Sequence, residues 1–175
     1  QQNAEAEARQ KLCDNARKRL IQLESTTGII VSKNAKGESV PLVGDARKAG
    51  TVVGPVVDAT QLAQDLDYIA IGRQEGARLA FGGEAMATVD GQPGFYLQPA
   101  LFTETGNAMR INREEIFGPV ASVIRARDAD EALAIANDTA YGLSAGVITN
   151  SLKQAARFKR ELQAGMVMVN APTAG

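Results

Sequence analysis

The 175-residue chain is 45% hydrophobic and 22% charged, with 19 basic against 20 acidic side chains and a formal net charge of -1. It is long enough for one domain with a core, and its balanced charge offers no long-range attraction to nucleic acid or to an anionic membrane surface. One cysteine and no histidine exclude an intrachain disulfide, every histidine-based triad and the common zinc sites. In chain order, Gln1-Gln2-Asn3-Ala4-Glu5 is polar and reads as no signal peptide. Residues 5–23 read as a helix, with Leu12, Ala16, Leu20 and Leu23 at helical spacing and Lys and Arg on the other face. Ser25-Thr26-Thr27-Gly28 breaks it. The β-branched run at residues 28–32 predicts a strand, and Val40-Pro41-Leu42 a second short strand or extended chain. Residues 43–55 are rich in glycine and read as a loop.

Asp58-Ala59-Thr60 opens a long helix, with Asp58 or Thr60 as its cap and an apolar stripe at Leu62, Leu66, Ile69 and Ala70. Arg78-Leu79-Ala80-Phe81 is a predicted strand ended by Gly82-Gly83. Residues 86–94 form a polar, hairpin-like stretch, followed by strands at residues 95–97 and 99–103. Residues 109–115 fit one helical turn, and residues 119–126 a strong strand. Asp128 or Asp130 caps a helix through about Asn137. Residues 143–149 predict a strand, Ser151 caps a helix to about Gln163 that Gly165 closes, and Met166-Val167-Met168-Val169 is the last strand. The second half thus repeats strand and helix, and its strands are nearly continuous apolar runs, as strands covered on both faces tend to be. The expected fold class is α/β, a parallel-rich open sheet with helices on both faces. No apolar run approaches the roughly 20 residues of a membrane span, and the single thiol fits a reducing, cytoplasmic compartment.

Neither G-x-G-x-x-G nor G-x-x-x-x-G-K-[ST] occurs, so a nucleotide is held by neither of those phosphate loops within this chain. The richest segment is Glu114-Glu115-Ile116-Phe117-Gly118-Pro119-Val120. A carboxylate on a loop beside a strand can accept hydrogen bonds from two vicinal ribose hydroxyls, and an aromatic two residues on can limit the sideways movement of a planar ring. The plain alternative is a charged turn with a core phenylalanine. The second informative stretch is Asn137-Asp138-Thr139-Ala140-Tyr141-Gly142-Leu143-Ser144-Ala145-Gly146, locally a tight helix-to-strand connection. The third, Gly165-Met166-Val167-Met168-Val169-Asn170-Ala171-Pro172-Thr173, is a strand leading to a polar loop at its carboxyl end, the edge where ligands gather in open α/β sheets.

Together these stretches resemble the aldehyde dehydrogenase superfamily. Its pattern E-x-F-G-P stands at Glu115 to Pro119. The blocks at Asn137 to Gly146 and Gly165 to Asn170 are similar to its next two motifs. Val43-Gly44-Asp45, Gly54-Pro55, Gly76-Ala77-Arg78 and Gly82-Gly83 are similar to the segment that precedes them. The resemblance covers residues 43–175, a partial catalytic domain. Residues 1–42, a helix and a short strand, carry no matching motif. It implies an enzyme that oxidises an aldehyde to a carboxylic acid with NAD or NADP, through addition of a cysteine thiolate, hydride transfer and release by water. Glu115 matches the acid that holds the nicotinamide ribose, and Phe117 the aromatic beside the nicotinamide. Asn170, Ala171, Pro172 and Thr173 match the loop that lines the aldehyde path. Residues 170–175 resemble the loop of members that oxidise 2-oxoglutarate semialdehyde. A homo-oligomer is implied for the complete enzyme, with a small aldehyde as substrate and neither nucleic acid nor membrane as partner.

Cys13, in Gln10-Lys11-Leu12-Cys13-Asp14-Asn15-Ala16, lacks the glycine and glutamine setting of the family nucleophile and is expected to be an ordinary thiol. No catalytic residue and no metal site is therefore assigned within the chain, and the family's cofactor domain is expected to be missing. Two other classes compete. One is a non-catalytic interaction or structural module that keeps the fold. The other is a hydrolase using Glu114 and Glu115, which is disfavoured because adjacent acids on a turn rarely stand the roughly 5–10 Å apart that flanking a scissile bond requires.

Overall fold

A computed structural model describes residues 31–33, 39–41, 43–49 and 51–171. The expected helix at residues 5–23, Cys13, Pro172 and Thr173 lie outside the described residues. The element order is β1 (Val31–Lys33), β2 (Ser39–Pro41), α1 (Ala59–Gln74), β3 (Arg78–Phe81), β4 (Ala85–Val89), β5 (Gln92–Leu97), β6 (Ala100–Thr105), α2 (Arg110–Arg113), β7 (Val120–Ile124), α3 (Ala129–Asn137), β8 (Ser144–Val147), α4 (Leu152–Glu161) and β9 (Met166–Val169). The alternation of strands and helices is that of an α/β fold. The described strands group as a three-stranded sheet in the order β3-β6-β7 and as the pairs β1-β2, β4-β5 and β8-β9. β8 and β9 pair in parallel across α4, with Ser144 opposite Met166 and Val147 opposite Val169. The pairs β1-β2 and β4-β5 are antiparallel.

The chain divides into two compact units, the first ending in Leu79–Leu101 and Ile116–Ala121 after the stretch up to Ala70, the second made of Ile71–Arg78, Phe102–Glu115 and residues 122–175. In the first unit, α1 starts where expected because the Asp58 carboxylate accepts the Gln61 N–H at 2.9 Å. The polar stretch at residues 86–94 closes as a true hairpin. Asp90 and Gly91 both have positive φ (51° and 74°), the backbone twist a two-residue hairpin turn needs. Strand β5 therefore begins at Gln92, three residues ahead of the expected start at Phe95, and takes in Pro93 beside a register shift between Met86 and Thr88. Val43, Ile69, Tyr96, Leu97, Ala100 and Ile116 are buried.

In the second unit, α1 ends in a glycine-closed turn. Gly76 takes φ of 91°, its N–H bonds the Arg73 carbonyl and the Ala77 N–H reaches back to the Gly72 carbonyl. Phe102 is fully buried, and a methyl group on Gly72 would meet its ring at 3.0 Å. Asp128 and Ser151 cap α3 and α4 through the Glu131 and Gln154 N–H groups. The end of α4 differs from expectation. It stops at Glu161, with Leu162 extended and its N–H still bonded to Phe158. Leu162 is 8% exposed, so burying this side chain turns the backbone out of the helix before Gly165 is reached. The Gly165 N–H bonds the Gly142 carbonyl instead.

Candidate functional site

The segment around Glu115 is built from a short helix, a sharp turn and a strand. In α2 the Arg110 N–H bonds Glu75 Oε2 at 2.8 Å, and the Arg110 guanidinium grips Glu114 with bonds of 2.7 and 2.8 Å. That bidentate pair engages the first of the two adjacent acids. Glu115 is exposed, and no hydrogen bond or ion pair from the described residues occupies its carboxylate. The two neighbours are thus chemically unlike, one tied down within its own helical turn and the other open to a ligand.

Past Glu115 the chain is held by α1 within the first unit. Ile116 is 8% exposed. Its carbonyl accepts from Gln61 Nε2 at 2.9 Å and from Gln64 Nε2 at 3.0 Å. Phe117 follows with φ of 61°, a left-handed conformation that is uncommon for a side chain of this size. Phe117 is 77% exposed, so within this chain it is not the core phenylalanine of the plain alternative. Gly118 then lies on the Asp65 side chain, and Pro119 accepts the Ala100 N–H at 2.8 Å as β7 begins. Backbone held in such a region persists only where its surroundings over-determine it, and such places cluster at ligand clamps.

Asp65 carries no role in the sequence reading. It is fully buried. Oδ1 accepts Gln61 Nε2 at 2.7 Å, and Oδ2 has no hydrogen-bond partner among the described residues. Burial pushes its carboxyl above the usual value of 3.8, with the Gln61 hydrogen bond opposing. The available signal was the spacing of Gln61, Gln64 and Asp65, which shares one helix face, but nothing local says that this face is covered.

Hydrogen bonds within the chain tie down both of the other motif stretches. Asn137 donates to the Glu161 carbonyl and accepts the Gln163 N–H, both at 2.9 Å. Asp138 takes two bonds from the Arg113 guanidinium, 3.1 and 2.9 Å, and one from Asn107 at 2.6 Å. These partners, Arg113 first, hold its carboxyl below the ordinary range. At the end of β9, Asn170 adopts φ of 53°. Its carboxamide accepts the Thr149 N–H at 2.8 Å and donates to the Thr149 carbonyl at 2.9 Å. Asn170 and Ala171 are exposed at the strand's carboxyl end.

An apolar cleft of about 670 Å³ opens in the first unit between the β4-β5 hairpin and Leu62 of α1. No titratable side chain lines it, so it offers shape without chemistry. Among the described residues there is no cluster of metal-ligating side chains and no helix long and apolar enough to cross a membrane.

Residues 11–175 match the sequence family described as the aldehyde dehydrogenase family. Over 133 residues, 76% of the chain and 27% of the relative, the chain is 43% identical to an α-ketoglutaric semialdehyde dehydrogenase of Bacillus subtilis (strain 168). It is 44% identical over 129 residues, 74% of the chain and 26% of the relative, to a betaine aldehyde dehydrogenase of Mesorhizobium japonicum (strain LMG 29417). Among solved structures, an indole-3-acetaldehyde dehydrogenase complexed with NAD+ superimposes with a TM-score of 0.70 at 46% identity, over 76% of this chain and 26% of that one. The chain spans about a quarter of the length of the relatives it matches. The family match begins at residue 11, upstream of the motif-bearing portion.

Proposed function

The chain belongs to the aldehyde dehydrogenase family, and from that premise we propose that it is part of an NAD(P)-dependent enzyme oxidising an aldehyde to a carboxylic acid. The observation that carries the reading is the exposed ring of Phe117, held on a left-handed turn next but one to a carboxylate that no other described residue occupies. A bound nicotinamide nucleotide supplies the hydride acceptor for the oxidation. The residues fit such a group. Glu115 has two free acceptor oxygens for the vicinal hydroxyls of a ribose, and Phe117 has an open aromatic face to bound the space beside a planar ring. Asn170, Ala171, Pro172 and Thr173 are assigned to the wall of the aldehyde path. Asn170 serves there by fixing the direction of the chain, since its carboxamide is engaged by Thr149.

The nucleophilic cysteine is taken to lie outside this chain, with Cys13 an ordinary thiol. One observation favours a second reading. The family match starts two residues ahead of Cys13, so the chain's single thiol lies in matched sequence. The first substrate to test is 2-oxoglutarate semialdehyde, supported by the loop at residues 170–175 and by the name of the Bacillus subtilis relative. Betaine aldehyde is the comparison substrate, since a relative of similar identity carries that name.

The test combines the chain with the remainder of the enzyme and follows reduction of NAD or NADP. Aldehyde-dependent reduction is expected. Glu115→Gln should raise the KM for the nucleotide about tenfold and slow turnover, the loss expected when one charge-assisted hydrogen bond is weakened. Unchanged rate and nucleotide affinity in that variant would remove Glu115 from the cofactor site. No turnover under any complementation would favour a non-catalytic module that keeps the fold.

A further inference from the structure

The turn at Phe117 is gripped on both sides by one face of α1. Ahead of it, Gln61 and Gln64 donate to the Ile116 carbonyl at 2.9 and 3.0 Å. Behind it, a methyl group on Gly118 would overlap the Asp65 carboxyl, so the glycine backbone rests directly on that side chain. Gln61 also donates to Asp65 at 2.7 Å, which ties the two grips together. Residues 61, 64 and 65 share a face because the helix repeats every 3.6 residues. Between the two grips stands Phe117 with φ of 61°. A bulky residue keeps that conformation only where its neighbours leave no alternative.

We propose that Asp65 is a positioning residue, the buried seat on which Gly118 rests, which with Gln61 and Gln64 holds Phe117 left-handed and its ring outward. In its bearing on the nucleotide, this rests on the role proposed above for Phe117. Asp65 is fully buried and one of its oxygens has no partner among the described residues. An ionised carboxyl there would draw water into the contact or remain unpaired at high cost. Burial thus favours the neutral acid over the ion, and asparagine is the isostere of that neutral form.

The test labels the chain's five phenylalanines with 4-fluorophenylalanine and identifies the Phe117 fluorine resonance by its loss in Phe117→Leu. Asp65→Asn should leave that resonance in place and the nucleotide KM of the complemented enzyme unchanged. Asp65→Ala should move the resonance toward that of free fluorophenylalanine and raise the nucleotide KM several-fold. Gly118→Ala should displace it as well, and the double variant Asp65→Ala/Gly118→Ala should return it toward its original position, because the added methyl enters the vacated space. If Asp65→Ala does not fold, the melting temperatures of Gly118→Ala and of the double variant test the same contact, and a double variant no more stable than Gly118→Ala overturns the proposal. An unmoved resonance in Asp65→Ala, or equal displacement in Asp65→Asn, also overturns it. A displaced resonance in Asp65→Ala with unchanged nucleotide KM would uphold the seating of the turn and instead remove Phe117 from the nicotinamide site.

Discussion

Asp65 stands where burial and ionisation oppose each other. Its carboxyl is raised above the ordinary value of 3.8, burial being the larger cause and Gln61 opposing. The native state therefore holds this proton more tightly than the unfolded chain does. The stabilisation is complete below the unfolded pKa and is lost as pH rises through the folded one. Asp138, Glu131 and Glu161 run the other way, held low by Arg113, Arg127 and Arg157 respectively. Their contribution is present above the unfolded values and falls away on acidification. These exposed pairs are common to the wild type and to an Asp65 variant, so they cancel in a comparison. Asp65→Asn is expected to melt like the wild type in acid and progressively higher than it as pH rises toward neutrality. A difference in melting temperature that does not change with pH would show that Asp65 takes and loses its proton alike in both states.

At the scale of elements, starts were more legible than ends. Asp58, Asp128 and Ser151 act as caps because an N-cap oxygen meets an N–H three residues on in the same chain, a relation that spacing alone expresses. The stop of α4 depends on the burial of Leu162, which spacing does not express. The β8-β9 pair ends on another local device. Asn170 leaves the strand in a left-handed conformation that asparagine tolerates better than most residues, and its side chain mimics a further strand residue opposite Thr149. Asn170→Ala is expected to cost about 1–2 kcal/mol, two neutral hydrogen bonds of ordinary strength, measured by urea unfolding. Hydrogen exchange localises the loss. The Thr149 amide, which donates to Asn170 Oδ1, should exchange faster, while the Asn170 amide bonded to Val147 should keep its protection. Equal loosening of both amides would mean that the whole strand pair depends on this clamp.

For the whole molecule, the chain spans about a quarter of the length of the relatives it matches, so the proposed turnover is tested in the complemented enzyme. Cys13→Ser, assayed in the complemented enzyme, is expected to leave aldehyde oxidation unchanged. Loss of turnover by several orders of magnitude, the scale on which removing a nucleophile acts, would make Cys13 the attacking thiol and agree with a family match that begins at residue 11. The family itself was legible without coordinates, because E-x-F-G-P and the two later motifs keep their order and spacing along the chain. The order of strands and helices was legible too, since apolar periodicity, local caps and the Asp90-Gly91 turn act over a few residues. The pairing of Glu114 with Arg110, four residues apart, is equally local and sets it apart from its open neighbour Glu115. Tertiary structure alone turned Phe117 outward and sealed Asp65 beneath Gly118. Those outcomes depend on packing between distant segments, as when Gln61 and Gln64 reach a carbonyl 55 and 52 residues away, and no periodicity within a single element records such a meeting.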